Sequence, residues 1–359
     1  MKEETVKKIM QPARKVGIIG YGAYIPRYRL AAKEISHIWR DGRDMDSLLV
    51  EEISLPGPDE DVATMAIEAA QNAISRAGIN AGEIRSVYVG SESHPYAAKS
   101  TGSIVAQALG IAPHTTAADF QFACKAGTEA MQAGFGLVGS GMVNYSLGIG
   151  SDTAQARPRD ELEYTAAAGA AAVVMGPADE AVAILQASYS YVTDTPDFFR
   201  RAYRKYPEHG NRFTGEPGYF HHIQNAVTTL LEEMGLKAED FSAAVFHQPN
   251  VRFPQKIAQM LGFQKGQIKT GLLSRMIGNA YSSSAILGFT AVLDEAKPGD
   301  RILLASYGSG AGSDAFCFTA TEKINGVKHK APSTKNYIAR ASAVDYITYA
   351  RLKGKINNN

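Results

Sequence analysis

Residues 119–130 have the sequence Asp-Phe-Gln-Phe-Ala-Cys-Lys-Ala-Gly-Thr-Glu-Ala. Within this stretch the pattern of apolar residues changes from that of a strand to that of a helix, and this change indicates the fold. The apolar residues before Cys124 predict a short buried strand, and the small side chains after it predict a closely packed helix. A cysteine at this junction lies near the free amide groups of a helix N-terminus, where the partial positive charge favours a thiolate. Cys124 is therefore a candidate nucleophile, and a small buried hydrophobic residue is the alternative interpretation.

The composition narrows the class of protein. A chain of 359 residues with 45% hydrophobic content can bury a large core, in two halves or domains. The formal net charge of +1 gives no reason to expect nucleic acid or a membrane surface as a partner. Two cysteines argue against a disulfide framework and fit a reducing compartment. No apolar run reaches a membrane span of about 20 residues, and the charged N-terminus lacks a signal-peptide core, so we expect a cytoplasmic protein.

The alternation of strands and helices occurs twice along the chain, so we expect two α/β halves, although no literal sequence repeat aligns. The predicted boundaries are 1–177 for the N-terminal half, 178–325 for the C-terminal half and 326–359 for a basic tail. A solvated tail is the first interpretation, and docking through its tyrosine and isoleucine residues is the second. The irregular, aromatic segment 190–220 is typical of a functional or mobile loop.

Local signals predict several elements before the fold is known. The acidic residues 59–61 and Gly78 bound one predicted helix, because the first favour a helix N-terminus and glycine favours its end. Residues 27–60 are interpreted as a surface excursion of loop and helix. Residues 280–294 are predicted as one continuous helix of small residues.

The sequence contains no motif that predicts a nucleotide cofactor or a metal ion. The glycine-rich strand near the N-terminus contains Gly17, Gly20 and Gly22, whose spacing does not match a dinucleotide fingerprint. Pro26 lies where the phosphate-binding helix would begin. The eight histidines lie in no recognised zinc motif, so we expect no metal site and no bound cofactor.

Four polar residues lie where predicted apolar strands stop, namely Glu92, Cys124, His247 and Ser309. In open α/β sheets, ligands bind outside the strand ends, so these residues could converge on one pocket. A cysteine nucleophile needs a base or imidazole nearby, and an oxyanion needs fixed donors, which the glycines around Ser309 would allow. Each residue alone has an ordinary structural explanation, but the four together favour a catalytic site.

The motifs around these residues resemble those of archaeal-type 3-hydroxy-3-methylglutaryl-CoA (HMG-CoA) synthases, within the thiolase superfamily. The similarity extends over roughly residues 16–321, and it implies a thiolase-like, duplicated five-layer αβαβα fold. The separations of Glu92 and His247 from Cys124 also match the family pattern. The motifs are Gly90-Ser91-Glu92-Ser93, Ala123-Cys124, Phe246-His247-Gln248-Pro249, Gly278-Asn279-Ala280-Tyr281-Ser282-Ser283 and Tyr307-Gly308-Ser309-Gly310.

The resemblance implies a reaction in which acetyl-CoA and acetoacetyl-CoA condense to HMG-CoA in the mevalonate pathway of isoprenoid biosynthesis. Cys124 would carry the acetyl group, Glu92 would remove a proton from its methyl, and His247 would act at the ketone oxygen of acetoacetyl-CoA. The resemblance also implies substrate contacts from Thr165, Thr214, Asn279 and Ser309, CoA contacts from Arg252 and Lys256, and tuning of the pocket by Asp152 and Asp197.

The family resemblance also implies partners. Superfamily members commonly form homodimers, and the archaeal group associates with an acetoacetyl-CoA thiolase through a zinc-ribbon/OB-fold protein. We therefore expect a homodimer and such a complex, to which the basic tail could contribute.

Two other functions stay open at this stage. An initiating-type β-ketoacyl synthase shares the His247 and Asn279 motifs, but it condenses by decarboxylation and needs no base such as Glu92. A non-catalytic thiolase-fold scaffold subunit is the second, and the presence of all the candidate catalytic residues argues against it. A thiolase would use a second catalytic cysteine in the glycine-rich loop, where this chain has Ser309. Cys317 lies in an apolar strand and is predicted to belong to the core.

Overall fold

The computed structural model describes residues 8–40, 49–153, 155–210 and 214–356, so parts of the predicted N-terminal segment, excursion, loop and tail lie outside it. Its strands are β1 Val16–Tyr24, β2 Tyr28–Ala31, β3 Glu52–Leu55, β4 Ile84–Gly90, β5 Thr116–Phe120, β6 Tyr145–Asp152, β7 Gly169–Pro177, β8 Ala183–Val192, β9 Phe198–Phe199, β10 Glu208–His209, β11 Ala243–Phe246, β12 Arg301–Ala305, β13 Gly312–Ala320 and β14 Ser342–Val344. Its α-helices are α1 Ala32–Trp39, α2 Val62–Ala77, α3 Thr101–Ala108, α4 Ala126–Gly139, α5 Phe220–Met234, α6 Arg252–Met260, α7 Lys265–Ile268, α8 Ser274–Ile277, α9 Ser284–Glu295, α10 Ile324–Val327, α11 Thr334–Ala339 and α12 Tyr346–Leu352.

A mixed sheet runs through the molecule in the order β11-β12-β13-β8-β1-β7-β6-β4-β5. Strand β1 pairs along its length with β7, and its residues Gly17 and Ile18 also pair with β8. This short pairing joins the strands of residues 16–177 to those of residues 183–320. The two groups of strands are therefore sheet halves that meet at β1.

Helices α4 and α9 pack in the middle of the molecule, between the two sheet halves. Their apolar side chains, such as Phe135 and Phe289, share one buried cluster with Val173 of β7 and Leu304 of β12. Helix α2 packs on the outer face of the first half, and α5 packs on the outer face of the second. The layers are thus helix, sheet, helix, sheet and helix, which confirms the predicted five-layer α/β class.

The predicted bounds of α2 are confirmed, and local chemistry explains them. The Asp61 carboxylate accepts a hydrogen bond from the Thr64 amide at 2.9 Å, and the Thr64 hydroxyl accepts one from the Asp61 amide at 2.8 Å. This reciprocal pair satisfies amide groups that the first helical turn leaves free. Gly78 ends the helix at a φ of 69°, in the left-handed region that glycine occupies without steric cost.

Three local predictions are wrong in part. Residues 27–60 contain β2 and β3, which pair with each other. Strand β2 also pairs with β14, so the three form a small sheet that a loop-and-helix excursion would not form. Strand β5 is only partly buried, because it lies at the edge of the large sheet. The predicted helix 280–294 begins with a 3-10 turn, Tyr281–Ser283, before α9 starts.

The solvated interpretation of the C-terminal tail is also wrong. Within residues 324–352 the chain forms α10, α11, β14 and α12. Tyr337, Tyr346 and Tyr349 are buried against the body of the protein, so the apolar surface of the tail docks on its own chain. The helices in the described residues include none long and apolar enough to cross a membrane.

Candidate active site

Cys124 lies in a tight turn that leads into α4. The turn is a 3-10 helix over Ala123–Lys125, closed by a hydrogen bond from the Lys125 amide to the Phe122 carbonyl at 3.0 Å. Ala123 has a φ of 44°, a left-handed conformation that costs energy for a residue with a Cβ. Strain of this kind is typical of functional sites, since the surrounding structure must hold it in place.

The environment of Cys124 is apolar and negatively charged. Its side chain, 9% exposed, packs in a small cluster with Ala166 and Tyr281. Burial raises the pKa of the Cys124 thiol well above its usual value, and the carboxylates of Glu92, Asp152 and Asp197 raise it further. The prediction that the helix start favours a thiolate is therefore wrong for the free protein, because desolvation and three carboxylates outweigh the helix amides.

The loop that carries Glu92 is fixed against the start of α4. Strand β4 ends at Gly90, where a Cβ would overlap the Ala126 carbonyl, so only glycine allows this close approach. The Ser282 hydroxyl donates to the Gly90 carbonyl at 2.9 Å. Glu92 follows two residues later and is half-buried.

Asp152, at the end of β6, holds this loop in place. Its fully buried carboxylate accepts hydrogen bonds from the Glu92 amide at 2.9 Å and from the Ser282 amide at 2.9 Å. It also accepts from the hydroxyls of Ser91 at 2.7 Å and Ser93 at 2.5 Å. One carboxylate thus connects the Glu92 loop to the segment that follows Asn279.

The Glu92 carboxyl is a stronger base than an ordinary glutamate. Burial raises its pKa well above the usual value, Asp152 raises it further by repulsion, and Arg200 opposes the shift. The Arg200 guanidinium also donates to the Glu92 carbonyl at 3.2 Å. A carboxyl group with a raised pKa in a partly enclosed site is suited to general base catalysis.

His247 follows β11 and lies among aromatic rings. Its amide donates to the Ala305 carbonyl at 2.8 Å, and its own carbonyl accepts from the Tyr219 hydroxyl at 2.5 Å. Its ring centroid lies 6.4 Å from that of Tyr219 and 6.5 Å from that of Tyr307. The Nδ1 atom is buried and has no hydrogen-bond partner among the described residues. Burial lowers the pKa of His247 to about 3, so the imidazole is neutral near pH 7.

Ser309 lies in the glycine-rich turn between β12 and β13. Gly308 approaches the Cys124 turn so closely that a Cβ there would overlap the Phe122 carbonyl oxygen. Asp197 fixes both sides of the turn, because it accepts from the Tyr307 hydroxyl at 2.5 Å and from the Gly310 amide at 2.9 Å. The Ser309 turn is thus held beside the Cys124 turn by close packing and by a buried carboxylate.

Asn279 and Thr165 lie side by side along their backbones. The Asn279 amide donates to the Thr165 carbonyl at 2.7 Å, and the Asn279 carbonyl accepts from the Ala167 amide at 2.9 Å. The neighbours Ala166 and Tyr281 both pack in the cluster that contains Cys124. These contacts bring Thr165 and Asn279 to the wall around the thiol.

A cavity of about 290 Å³ lies between the Glu92 loop, the Cys124 turn and the glycine-rich turn. Glu92, Ala123, Arg200 and Ser309 contribute to its lining, together with Gln155. The cavity therefore opens beside the Cys124 turn, with the candidate base on one side and the glycine-rich turn on another.

Three predicted residues, Thr214, Arg252 and Lys256, line other depressions of the surface. The Thr214 hydroxyl donates to the Asp197 carbonyl at 3.3 Å and lines an open depression of about 1070 Å³ with Arg204 and Lys205. Arg252 and Lys256 are exposed on α6 and line a separate depression of about 610 Å³. The structure thus places Glu92 and Ser309 at the cavity beside the Cys124 turn, with Thr165 and Asn279 next to the cluster that contains Cys124. His247 lies against Tyr307, which directly precedes the Ser309 turn. The other three predicted residues lie at the periphery.

Sequence reasoning assigned no role to Tyr307 or Arg200. Tyr307 directly precedes the glycine-rich turn, so its position in that motif was an available signal. Burial and the neighbouring Asp197 raise the pKa of the Tyr307 hydroxyl, which keeps it a hydrogen-bond donor. Arg200 lies in the irregular segment 190–220, where no pattern separates it from the neighbouring arginines. Cys317 is fully buried in β13, as predicted, and burial raises its pKa to about 12.

Known proteins resemble this chain in fold and in sequence. The profile of the 3-oxoacyl-[acyl-carrier-protein (ACP)] synthase III C-terminal family matches residues 231–319. A solved structure of MvaS in complex with 3-hydroxy-3-methylglutaryl coenzyme A superposes with a TM-score of 0.87 at 23% identity, over 97% of this chain and 93% of that one. The 3-oxoacyl-(acyl carrier protein) synthase III, FabH, from Pseudomonas aeruginosa PAO1 superposes with a TM-score of 0.77 at 19% identity, over 86% of this chain and 99% of that one.

Curated relatives are much more similar in sequence. The hydroxymethylglutaryl-CoA synthase of Thermococcus gammatolerans is 54% identical over 98% of this chain and 99% of the relative. The hydroxymethylglutaryl-CoA synthase of Methanosarcina mazei is 55% identical over 95% of this chain and 99% of the relative. On this identity, sustained over nearly its full length, the chain belongs to the hydroxymethylglutaryl-CoA synthase family.

Proposed function

We propose that the chain condenses acetyl-CoA with acetoacetyl-CoA and water to form HMG-CoA and free CoA, through an acetyl thioester on Cys124. The observation that carries this proposal is the placement of Glu92 and the Cys124 turn at one cavity, linked through Asp152. A thiol supplies the acyl carrier, and a carboxylate of raised pKa supplies the base that an unactivated acetyl methyl requires.

In the first step, the Cys124 sulfur attacks the acetyl carbonyl of acetyl-CoA. A new bond forms between sulfur and the acetyl carbon, the bond to the CoA sulfur breaks, and the proton of Cys124 ends on the departing CoA thiol. Since the pKa of Cys124 is raised, the thiol is protonated before substrate binds, and this proton transfer belongs to the reaction itself.

In the second step, Glu92 takes a proton from the methyl of the acetyl thioester. The resulting enolate attacks the ketone carbon of acetoacetyl-CoA, and a carbon–carbon bond forms. Burial and Asp152 make the Glu92 carboxylate more basic, which brings its proton affinity nearer to that of the carbon acid.

In the third step, the ketone oxygen becomes an alkoxide and requires a donor. His247 is neutral near pH 7, and a neutral imidazole carries one N–H that can donate a hydrogen bond to the alkoxide. The alkoxide takes up, through His247, the proton that Glu92 removed from the methyl, which gives the tertiary hydroxyl and restores the Glu92 carboxylate. Water then cleaves the Cys124 thioester, which releases the product carboxylate and one proton and restores the thiol. The backbone amides around Ser309 would stabilise the oxyanion of this hydrolysis.

The pantetheine and phosphate parts of CoA would extend from the cavity toward the protein surface. Arg252 and Lys256 are exposed cations on one face of α6, and such groups neutralise phosphates well. We infer that they bind CoA outside the cavity that Glu92 lines, without contacting the reacting atoms.

Strand β5 supports the proposed homodimer. It pairs only with β4 among the described strands, so its second edge is available to another chain. The Phe120 carbonyl accepts from the Ser91 amide on the β4 side, so alternation along the strand turns the Ala117 amide toward the free edge. Ala117→Pro would block pairing along this edge, and a monomer by light scattering is the expected result. An unchanged dimer would place the interface elsewhere. We also propose that the chain forms a complex with an acetoacetyl-CoA thiolase through a zinc-ribbon/OB-fold protein.

The function is tested by following acetoacetyl-CoA loss with and without acetyl-CoA. We expect loss that depends on acetyl-CoA and that yields HMG-CoA by mass spectrometry. A β-ketoacyl synthase would instead consume a malonyl thioester and release carbon dioxide, so a malonyl thioester is the matched comparison. Folded protein that turns over neither pair would support a scaffold subunit and contradict the proposal.

A further inference from the structure

Another buried carboxylate, Glu163, lies in the turn that precedes Thr165 and Ala166. It belongs to the 3-10 turn Glu161–Tyr164 and is 0% exposed. The amides of Thr165 and Ala166 donate to the Leu162 carbonyl at 3.1 Å and 2.7 Å. Leu162 and Ala166 both pack in the cluster that contains Cys124. Any shift of this turn therefore moves the side chains that contact the thiol.

Most of the donors to Glu163 come from the C-terminal segment, which we define as residues 345–356. Its Oε1 atom accepts from the Tyr346 hydroxyl at 2.9 Å, the Tyr349 hydroxyl at 3.1 Å and the Lys355 ammonium at 2.8 Å. The Lys355 ammonium also contacts the Tyr349 hydroxyl. Three side chains of one short segment thus converge on a single carboxylate oxygen.

The other oxygen of Glu163 is bound by the body of the protein. Its Oε2 atom accepts from the Trp39 indole at 2.9 Å and from the Arg159 amide at 2.8 Å. The Trp39 ring also lies edge-on to Tyr346, with centroids 5.8 Å apart. Glu163 consequently connects α1, the turn before Thr165 and the C-terminal segment.

The charge balance of this cluster depends on Lys355. The side chains of Lys355 and Glu163 are 4% and 0% exposed, so neither charge is solvated. Burial lowers the pKa of Lys355, and the adjacent Glu163 carboxylate opposes that shift. Removing the ammonium would leave a buried carboxylate without its counter-charge, and such a carboxylate pulls in water or moves its loop.

The C-terminal segment also contacts the long loop that carries Arg200. The Lys205 ammonium donates to the Gly354 carbonyl at 3.2 Å. Lys205 lines the same depression as Thr214 and Arg159. The segment therefore touches both the turn before Thr165 and the long loop that carries Arg200.

We propose that the C-terminal segment positions the acyl-site wall through Glu163, with Lys355 as the charged contact. Glu163 and Lys355 are positioning residues, because they act through Thr165 and Ala166 and do not touch the reacting atoms. This inference rests on the proposed synthase function. A well-placed wall keeps acetyl-Cys124 in the geometry for carbon attack and excludes water; a loosened wall lets water cleave the thioester early, which gives acetate and free thiol.

The test compares full-length Lys355→Met, Lys355→Arg and Arg351→Met with the wild-type protein, well below their unfolding temperatures. Arg351 is an exposed cation near the end of α12, in the same C-terminal segment, and it makes none of the bonds to Glu163 described above. For Lys355→Met, we expect kcat for condensation to fall about tenfold or more, with little change in KM, and acetate release per condensation to rise. Lys355→Arg should recover activity because it keeps the charge, and Arg351→Met should match the wild type.

A purely structural role would lower the unfolding temperature of Lys355→Met and leave the ratio of acetate to HMG-CoA unchanged, and that result would overturn the proposal. If Lys355→Met does not fold, Tyr349→Phe removes one donor without a charge, and the same ratio decides the question. A wild-type protein without acetyl transfer would instead overturn the proposed synthase function. An active wild type with unchanged ratios in all variants would overturn only the positioning role.

Discussion

The Asp152 carboxylate accepts a hydrogen bond from the Glu92 backbone amide at 2.9 Å, and it also raises the pKa of the Glu92 side chain. One residue therefore sets both the position and the basicity of the proposed base. The same carboxylate accepts from the Ser282 amide, so the base and the Asn279 segment share one anchor. Asp152 is a positioning residue of the site even though it lines no part of the cavity wall that Glu92 forms.

Substituting Asp152 with asparagine tests this relationship through the pH profile. The negative charge of Asp152 raises the pKa of Glu92, so Asp152→Asn should lower that pKa and move the acid limb of the condensation rate to lower pH. The weaker base and the lost hydrogen bonds should also reduce kcat, by about tenfold or more. Asp179→Asn, an exposed surface carboxylate, is the matched control. An acid limb that stays in place would show that Asp152 does not act on Glu92.

The raised pKa of Glu92 also predicts how stability depends on pH. The folded state binds the Glu92 proton more tightly than the unfolded state does. Glu92 therefore stabilises the folded state fully below its ordinary pKa of about 4.3. This contribution is lost as the pH rises through the higher pKa that Glu92 has in the folded state. Glu92→Gln lacks the charge, so it should be more stable than the wild type at pH 8, with a difference that shrinks toward pH 4. Denaturant unfolding at several pH values measures this. A less stable variant at pH 8 would argue that the carboxylate is well solvated.

Gly308 is predicted to be essential for the contact between the two active-site turns. Gly308→Ala would place a methyl group against the Phe122 carbonyl and Lys125, and such overpacking costs about 1–3 kcal/mol. We expect a lower free energy of unfolding and slower acetylation of Cys124. Gly136→Ala is a matched control on α4, where a Cβ meets no neighbouring atom within 4 Å, and it should be neutral or slightly stabilising. Equal effects of the two substitutions would remove the role of this close approach.

The basic face of α6 is predicted to act on substrate binding alone. Arg252→Met and Lys256→Met should each raise KM for the CoA thioesters about fivefold to tenfold, with kcat nearly unchanged, because these side chains lie away from the reacting atoms. The effect should weaken at high salt. Lys269→Met, an exposed lysine outside that depression, serves as the control. A fall in kcat with constant KM would place these cations nearer the chemistry than α6 allows.

The features that depend on residues close together in the sequence were predictable. Asp61 and Gly78 bound a helix because capping acts within one turn, and Cys317 is core because its strand is apolar throughout. Two of the strand-end residues, Glu92 and Ser309, line one cavity beside the Cys124 turn.

Features that depend on distant residues were not predictable in this way. The pKa of Cys124 is set by Asp152 and Asp197, which the fold brings close from far along the chain, so the helix-start argument gave the wrong direction. The composition of the tail favours a solvated segment, because it is basic. Its main buried partner, the Glu163 carboxylate, lies nearly two hundred residues earlier in the chain, so the docking of the tail depends on the fold. Strand β5 has the pattern of a buried strand, and only the order of strands shows that it lies at an edge.

One mass-spectrometric experiment tests the central claim, which is that Cys124 carries the acetyl group and Glu92 acts as the base for condensation. Folded wild-type protein and Glu92→Gln are incubated with acetyl-CoA, and the mass of the peptide that contains Cys124 is measured. Acetoacetyl-CoA is then added and HMG-CoA formation is followed. Cys124→Ala should carry no adduct, and Cys317→Ala should carry a normal one. We expect Glu92→Gln to be acetylated on Cys124 yet to condense about 10² to 10⁴ times more slowly than the wild type. Condensation by Glu92→Gln at the wild-type rate, or no adduct on folded wild-type protein, would contradict the mechanism.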